Sequence, residues 1–250
     1  MKILAVESSG LVASVAVWAD GCLCGEFTTN FKKTHSQTLL PMLDQLVKML
    51  GMDLKELDAL AVSAGPGSFT GLRIGSATVK GLGLALKLPV IEVPTVDGIA
   101  YNLYGTNRVI CPLMDAKRQQ VYTGLYTFEE DQFKVLSPQK AVDIRDIIGE
   151  INDMGRPVIF LGDGVPVYKD IVAQECHVPF CFAPAHVCCQ RAGALAALAA
   201  IYYKEGKYTT AAGHKPDYLR LSQAERELAA KKAAAAAAGN SECEHEEGGR

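Results

Sequence analysis

Carboxylates that follow apolar segments are the residues of this chain best suited to chemistry. Glu7 follows one such segment near the start, and Asp115 follows a similar one about a hundred residues later. In a duplicated fold these two carboxylates would face each other across a cleft, where they could hold a metal-bound phosphate or orient a water. Alternatively, each caps its own turn. Ser8 and Ser9 carry the same two interpretations, because a serine hydroxyl bonds either a phosphate or the local backbone.

A glycine-rich segment, Gly65-Pro-Gly-Ser-Phe-Thr-Gly71, joins a predicted strand to a predicted helix. Backbone amides and the helix dipole at such a junction attract an anion. The segment lacks the lysine and the spacing of a P-loop, so a tight turn that requires glycine is the alternative. Ser63 resembles the serine of a nucleophile elbow, but Ala61 replaces the first glycine of that motif, which disfavours a serine hydrolase.

Cysteine and histidine crowd into one stretch, which invites a zinc interpretation: Cys176, His177, Cys181, His186, Cys188 and Cys189. No pair among them has the C-x-x-C or H-x-x-x-H spacing of zinc ligands. His35 also stands alone, because Leu39 occupies the position of a second helical ligand. The sequence therefore predicts no metal site, and it favours reduced cysteines that pack as small hydrophobic side chains.

Composition bounds the class of protein. Of 250 residues, 49% are hydrophobic and 21% are charged, which predicts a folded protein with a sizeable core. The net charge of -3 disfavours a protein that binds nucleic acid without help from a partner. Eight cysteines without an apolar leader segment indicate reduced thiols in the cytoplasm. No segment has the roughly 20 apolar residues that span a bilayer, so no membrane anchor is expected.

The elements that must position these residues occur twice. A strand ending in Glu7 precedes a hairpin that turns at Asp20-Gly21, and a strand near 109–114 precedes a second hairpin that turns at 129–131. This repeat predicts a duplicated α/β domain. The expected bounds are an N-terminal lobe at 1–105, a C-terminal lobe at 106–223 and an Ala/Glu-rich, disordered tail at 224–250.

Two helices, predicted near 36–50 and 70–87, flank a buried strand near 58–64. The second helix carries Gly71, Gly75 and Gly81 in rows of small residues, which cost helicity unless another helix approaches closely. The alternative is that both helices pack only on their own sheet. The predicted partner surface consists of Leu39, Leu43, Leu46, Gly71, Leu72, Gly75, Val79 and Leu82. Further helices are predicted near 166–175 and 187–205.

Several segments resemble the TsaB family, the dimerisation subunit of the bacterial complex that makes threonylcarbamoyladenosine in tRNA. They are Ile3–Ser9, His35–Pro41, Ala64–Gly75, Lys80–Ala85 and Met114–Arg118. The resemblance covers about residues 1–220. It implies an α/β, actin-like or Hsp70-like ATPase fold with two ribonuclease-H-type lobes. It also implies a subunit without catalytic residues, because the related TsaD has a metal-binding histidine pair on its first helix and His35 is single here.

The same resemblance has implications for partners and for cofactors. It implies a heterodimer with TsaD, a TsaE-type ATPase subunit, tRNA reached through the complex, and a homodimer of the isolated chain. It implies no intrinsic cofactor, or a nucleotide shared with the partner, and Glu7, Ser8, Ser9 and Asp115 would be remnants of a nucleotide cleft. The family commonly has Asp-Thr-Ser where Glu7-Ser8-Ser9 stands, which weakens nucleotide binding by the chain alone. The alternative is a free-standing ATP-dependent kinase or hydrolase of the actin-like fold.

Overall fold

Two sheets with one repeated strand order organise the fold in a computed structural model that describes residues 1–31 and 34–219. Residues 1–217 form one unit, and the tail predicted at 224–250 lies outside the described residues. The strands are β1 (Lys2–Glu7), β2 (Ala13–Ala19), β3 (Cys22–Thr29), β4 (Ala59–Gly65), β5 (Pro89–Pro94), β6 (Val109–Pro112), β7 (Met114–Asp115), β8 (Gln120–Glu129), β9 (Gln132–Asp143), β10 (Val158–Leu161), β11 (Phe180–Phe182) and β12 (Thr209–Thr210).

The helices confirm the predicted α/β alternation. They are α1 (His35–Leu50), α2 (Phe69–Leu86), α3 (Thr95–Ala100), α4 (Ile144–Met154), α5 (Val165–Glu175), α6 (Ala185–Cys188) and α7 (Ala192–Lys204). The helix predicted near 187–205 is confirmed by α7, but its predicted start is wrong, because the chain leaves helical geometry between α6 and α7. None of the described helices has the length and apolar character needed to cross a bilayer.

The sheets show the duplication that the sequence predicts. The first has the order β12-β5-β4-β1-β2-β3, with β1 antiparallel to β2 and parallel to β4. The second has the order β11-β10-β6-β8-β7, with β9 paired to β8, and β6 is antiparallel to β8 and parallel to β10. The strands β1–β5 therefore correspond to β6 and β8–β11. Two such ribonuclease-H-type lobes are the actin-like arrangement.

Both faces of the first sheet are covered, as a parallel centre requires. Leu4 and Val6 of β1 point to the face covered by α1 and α2, whereas Ile3 and Ala5 point to the face covered by α7. This is the period-two alternation of a strand. The elements α7 and β12 belong with the first sheet although they follow the second lobe in the chain. The predicted lobe bounds stay a prediction.

The residues predicted for a partner surface lie inside the first lobe. Leu39, Leu43 and Leu46 are at most 5% exposed and pack with Val79 against the sheet. Leu72 is 1% exposed, Gly71 and Gly75 are buried, and Leu82 is half-buried against the same cluster. For the buried side chains the interface prediction is wrong, because a sheet that must stay dry takes the most apolar face of each helix. For Leu82 it stays a prediction.

Candidate functional site

A cleft of about 380 Å³ lies between the turn after β1, the glycine-rich segment and the turn after β7. Such turns at the carboxyl ends of strands are where open α/β sheets bind ligands. Of the predicted residues, Ser9 and Asp115 line the cleft, and Glu7 and Ser8 do not. The polar lining consists of Ser9, Ser68, Asp115, Lys117, Tyr122 and Asp163.

Glu7 is buried in the turn that follows β1 rather than facing Asp115 across the cleft. Its side chain is 2% exposed, and its Oε1 accepts hydrogen bonds from the amide of Ser9 at 2.7 Å and the hydroxyl of Ser9 at 2.5 Å. Burial raises the pKa of Glu7, although the bonds from Ser9 act in the opposite direction. Glu7 therefore fits the turn-capping interpretation.

Asp115 holds a tight turn at the edge of the cleft. Its Oδ1 accepts from the Lys117 amide at 2.8 Å and the Tyr168 hydroxyl at 2.9 Å, and Lys117 Nζ lies 2.5 Å from Oδ2. Burial favours a higher pKa for Asp115, but the bonds from Lys117 and Tyr168 outweigh it and lower the pKa. Lys117, Arg118 and Gln119 all have positive φ, between 57° and 64°, so this carboxylate stabilises an uncommon backbone conformation.

Asp163 is the cleft carboxylate that the sequence analysis missed. It follows β10 in the second lobe, burial raises its pKa, and its Oδ1 has no hydrogen-bond partner among the described residues. Gln190 is 1% exposed and its amide packs on Gly10, where an added Cβ would lie 2.6 Å from Gln190 Nε2. The signal available in the sequence was the Gly162-Asp163-Gly164 turn after a strand, which parallels the turn after β1.

Gly71 and Gly75 allow the turn after β1 to pack closely against α2. Ser8 Oγ donates to the Gly71 carbonyl at 2.9 Å, and a Cβ on Gly71 would lie 2.1 Å from the Ser8 carbonyl oxygen. A Cβ on Gly75 would lie 2.3 Å from Ser8 Oγ. These two glycines therefore serve an internal contact, and their prediction as a helix-packing surface for a partner is wrong.

The glycine-rich segment uses part of its own hydrogen-bonding capacity. The Ser68 amide donates to the Ser9 carbonyl at 2.6 Å, and the Gly71 amide donates to Ser68 Oγ at 3.3 Å. Amides bonded in this way are not available to a phosphate. The contacts fit a tight turn better than a phosphate cradle, so the segment gives little support to a nucleotide held by this chain alone.

His35 and Ser63 have structural environments. His35 Nε2 lies 2.8 Å from the Gly10 carbonyl, which ties α1 to the turn after β1. Ser63 is 1% exposed within β4, where a peptide substrate would not reach its hydroxyl. Within residues 1–31 and 34–219, no group of three His, Cys, Asp or Glu side chains is placed to hold a metal ion.

Neutralising the two predicted carboxylates tests their role. We expect Glu7→Gln to keep the fold, because glutamine retains the acceptor that Ser9 uses and avoids an ionised group in a buried site. We expect Asp115→Asn to cost about 1 kcal/mol or less through the largely exposed Lys117 pair. Each variant should lower the activity of a reconstituted complex less than about tenfold, whereas a loss above about a hundredfold would identify a catalytic carboxylate.

Comparisons with known proteins show the family to which this chain belongs. The family model described as TsaD, tRNA N6-adenosine threonylcarbamoyltransferase, matches residues 24–239. The tRNA threonylcarbamoyladenosine biosynthesis protein TsaB of Bacillus subtilis is 32% identical over 225 residues, which cover 90% of this chain and 96% of that protein. The chain belongs to the TsaB family. The Escherichia coli TsaB protein is 30% identical over 235 residues, covering 92% of this chain and all of that protein.

Solved structures agree with this assignment. YeaZ from Pseudomonas aeruginosa is 25% identical, with a TM-score of 0.73, and the match covers 87% of this chain and 99% of that one. A second Pseudomonas aeruginosa structure, described as similar to peptidase YeaZ, has the same TM-score and covers 88% of this chain. TsaB membership thus accounts for the two-lobe fold.

Proposed function

We propose that this chain is a non-catalytic scaffold and dimerisation subunit that binds TsaD and supports threonylcarbamoyl transfer to the tRNA adenosine next to the anticodon. Support comes from relatives named for tRNA threonylcarbamoyladenosine biosynthesis and from the match to a family model named for the transferase. With a net charge of -3, the chain reaches tRNA through the complex rather than by a basic surface of its own. A TsaE-type ATPase is the third subunit, and the complex acts in the cytoplasm.

The outward face of α1 and α2 is the surface proposed to bind TsaD, and we name it the helix face. It contains Leu40, which is 55% exposed, Leu84, which is 60% exposed, and the exposed small residues Ala77 and Gly81. The two helices contact each other, and the proposal is that their exposed side chains form one surface. Ala77, Gly81 and Leu84 are spaced by four and three residues, so they lie in one row along α2.

The main support for this surface is the empty space above Gly81 in α2. A glycine inside a helix costs about 1 kcal/mol relative to alanine. A Cβ at Gly81 would meet no atom within 4 Å, so no contact described within the chain requires glycine there. Close approach of a partner helix would require it, because the distance between helix axes depends on the side chains at the crossing. Titration of TsaD into the chain, followed by calorimetry, tests the binding directly.

The isolated chain would expose the same helix face, so we expect a homodimer through it when TsaD is absent. TsaD would then compete with the second copy. For cofactors, the proposal is that the chain holds none of its own, or shares a nucleotide with TsaD. Internal hydrogen bonds made by Glu7 and Asp115 support this choice over a free-standing ATP-dependent kinase or hydrolase.

The pure chain is expected to show neither threonylcarbamoyl transfer nor peptidase activity. Ser63 is buried, and the two predicted cleft carboxylates are engaged within the protein. The measurement is product formation by the chain alone and after addition of TsaD, with matched protein concentrations. Turnover by the chain alone that disappears in Ser63→Ala, or on chelation of metal, would contradict the non-catalytic role.

A further inference from the structure

The strand β3 lies at one edge of the first sheet, where it pairs with β2 alone. In an antiparallel pair, alternate residues direct both their amide and their carbonyl away from the neighbouring strand. Across residues 1–31 and 34–219, one further hydrogen bond to the backbone of β3 is described, and it joins Cys24 Sγ to the Cys22 carbonyl oxygen at 3.9 Å. The outer edge of β3 therefore presents backbone donors and acceptors that another strand can use.

Length and composition set β3 apart from the other outer strands. Native proteins protect a sheet edge by keeping the strand short or by placing proline and lysine on it. The strands β7, β11 and β12 have two or three residues each, and β9 carries Lys134, Pro138 and Lys140. By contrast, β3 has eight residues, none of them proline or lysine. An unprotected edge of this length is suited to pairing with an added strand.

A groove of about 730 Å³ runs beside β3, between this strand and the first half of α1. Four consecutive residues of β3, at 26–29, line it. Because successive side chains of a strand point to opposite faces of the sheet, a groove that all four residues line follows the edge of the strand. The rest of the lining consists of Phe31 and of the α1 residues Gln37, Thr38, Pro41 and Met42.

The lining offers no free charge to an occupant. Glu26 is the one charged residue in it, and this carboxylate is engaged within the protein, because Oε1 accepts from the Gly193 amide at 2.9 Å and Oε2 pairs with Arg191. The other lining side chains are apolar or carry hydroxyl and amide groups, and Phe31 is 67% exposed. Since burying an unpaired charge is costly, the groove fits an uncharged segment with alternating apolar and hydroxyl side chains.

We propose that β3 and α1 bind an extended, uncharged peptide segment of a partner protein, which adds to the first sheet as a strand outside β3. Hydrogen bonds to the outer edge of β3 supply most of the affinity, and the groove holds every second side chain of the peptide. None of the residues named for the helix face lines the groove, so this site is separate from the surface proposed to bind TsaD.

The test is an NMR titration of the ¹⁵N-labelled full chain with a synthetic peptide, acetyl-Thr-Val-Thr-Val-Thr-Val-amide. We expect the amide resonances of β3 and of the first half of α1 to shift. Two control peptides carry N-methyl groups, one on its threonine amides and the other on its valine amides. Only one of these two sets of amides can face β3, so one control should bind at least about tenfold more weakly than the other. No TsaD is present, so the result does not depend on the helix face.

A pair of variants on α1 tests the groove. Gln37 and Gln45 are both exposed on this helix, but of the two only Gln37 lines the groove. In Gln37→Arg we expect the peptide to bind at least about fivefold more weakly, because the arginine fills the groove and brings a charge into it. The matched control, Gln45→Arg, should change the affinity by less than about twofold. Spectra of the free variants check their fold.

The proposal is overturned if the titration leaves the β3 resonances in place, or if the two N-methylated peptides bind equally well. Equal effects of Gln37→Arg and Gln45→Arg would place the peptide outside the groove and would also contradict it. A shift of the β3 resonances with protein concentration in the free chain would assign the edge to a second copy of the chain instead of a peptide.

Discussion

Gly81→Arg should weaken binding of the chain to TsaD by at least about a hundredfold, equivalent to about 2.7 kcal/mol. The reason is that, in the proposed complex, a helix of TsaD packs so closely on α2 that only the hydrogen atom of a glycine fits at position 81. A long cationic side chain would not fit there. An arginine there would separate the helices or bury an unpaired charge. Either effect costs more binding free energy than a substitution at the solvent-exposed rim of an interface. Calorimetric titration of TsaD into each variant gives the affinity directly.

The matched control is Gly149→Arg. Gly149 is exposed within α4 of the second lobe, and a Cβ there would also meet no atom within 4 Å. Its exposed neighbours on that helix row, Arg145, Asp146 and Asp153, are charged, whereas those of Gly81 are apolar, so we do not expect a helix to pack there. Both substitutions replace an interior helix glycine, so both should hold or raise thermal stability by up to about 1 kcal/mol. Only the Gly81 variant should lose TsaD. Unchanged affinity in a well-folded Gly81→Arg protein would move the interface away from the helix face.

Arginine at Gly75 or Val79 would not test this interface. Val79 is fully buried, and a Cβ on Gly75 would collide with Ser8 Oγ. Either substitution would damage the monomer before TsaD is added, so lost binding would have two explanations. Gly81 avoids this problem because the described contacts leave the space above it open.

The hydrophobic periodicity of the sequence predicts α1 and α2. It does not predict which element or protein packs against their apolar faces. The spacing of Leu39, Leu43 and Leu46 identifies α1 and shows that one of its faces is apolar. It does not distinguish a sheet of the same chain from a partner protein, and the sheet takes the most apolar face. The helix face is assigned from exposure, which depends on contacts between elements distant in sequence.

The candidate site was predictable where local pattern determines it. Asp115 at a strand end lines the cleft as its position indicates, whereas Glu7 is turned inward by its bonds to Ser9. The packing of Gln190 on Gly10 joins residues far apart in the chain, and no local pattern encodes it. Asp163 could have been found, because its turn repeats the position of the first one in the duplicated lobe.

One missed element, α4, does have a sequence signal. Its buried isoleucines lie at 144, 147, 148 and 151, the spacing of an apolar helix face, and Asp143 caps the first turn by accepting from the Arg145 amide. The repeat involves the strands, whereas this helix lies between two of them, β9 and β10. Local periodicity was sufficient here, unlike at the cleft.

Asp97 joins three elements through one buried carboxylate. It lies on α3 and is 7% exposed, and its Oδ1 accepts from the Tyr126 hydroxyl of β8 at 2.7 Å. Its Oδ2 accepts from the Tyr202 hydroxyl of α7 at 3.1 Å. Tyr126 is fully buried, so its hydroxyl depends on this carboxylate as its acceptor. The carboxylate thus links the strand β8 of the second lobe to the helix that covers the first sheet.

Asp97→Ala is therefore expected to lower the free energy of unfolding by about 2 to 4 kcal/mol, measured by urea unfolding at pH 7, because both hydroxyls lose their acceptor. Asp97→Asn is the control, since it keeps the shape and one acceptor, and it should cost clearly less. Burial raises the pKa of Asp97, so the folded state binds the proton more tightly than the unfolded state. Wild-type stability relative to Asp97→Asn should consequently fall as pH rises from the ordinary carboxyl pKa through the raised one. Equal stability of the alanine and asparagine variants, with no difference in pH dependence from wild type, would show that this carboxylate does not hold the three elements together.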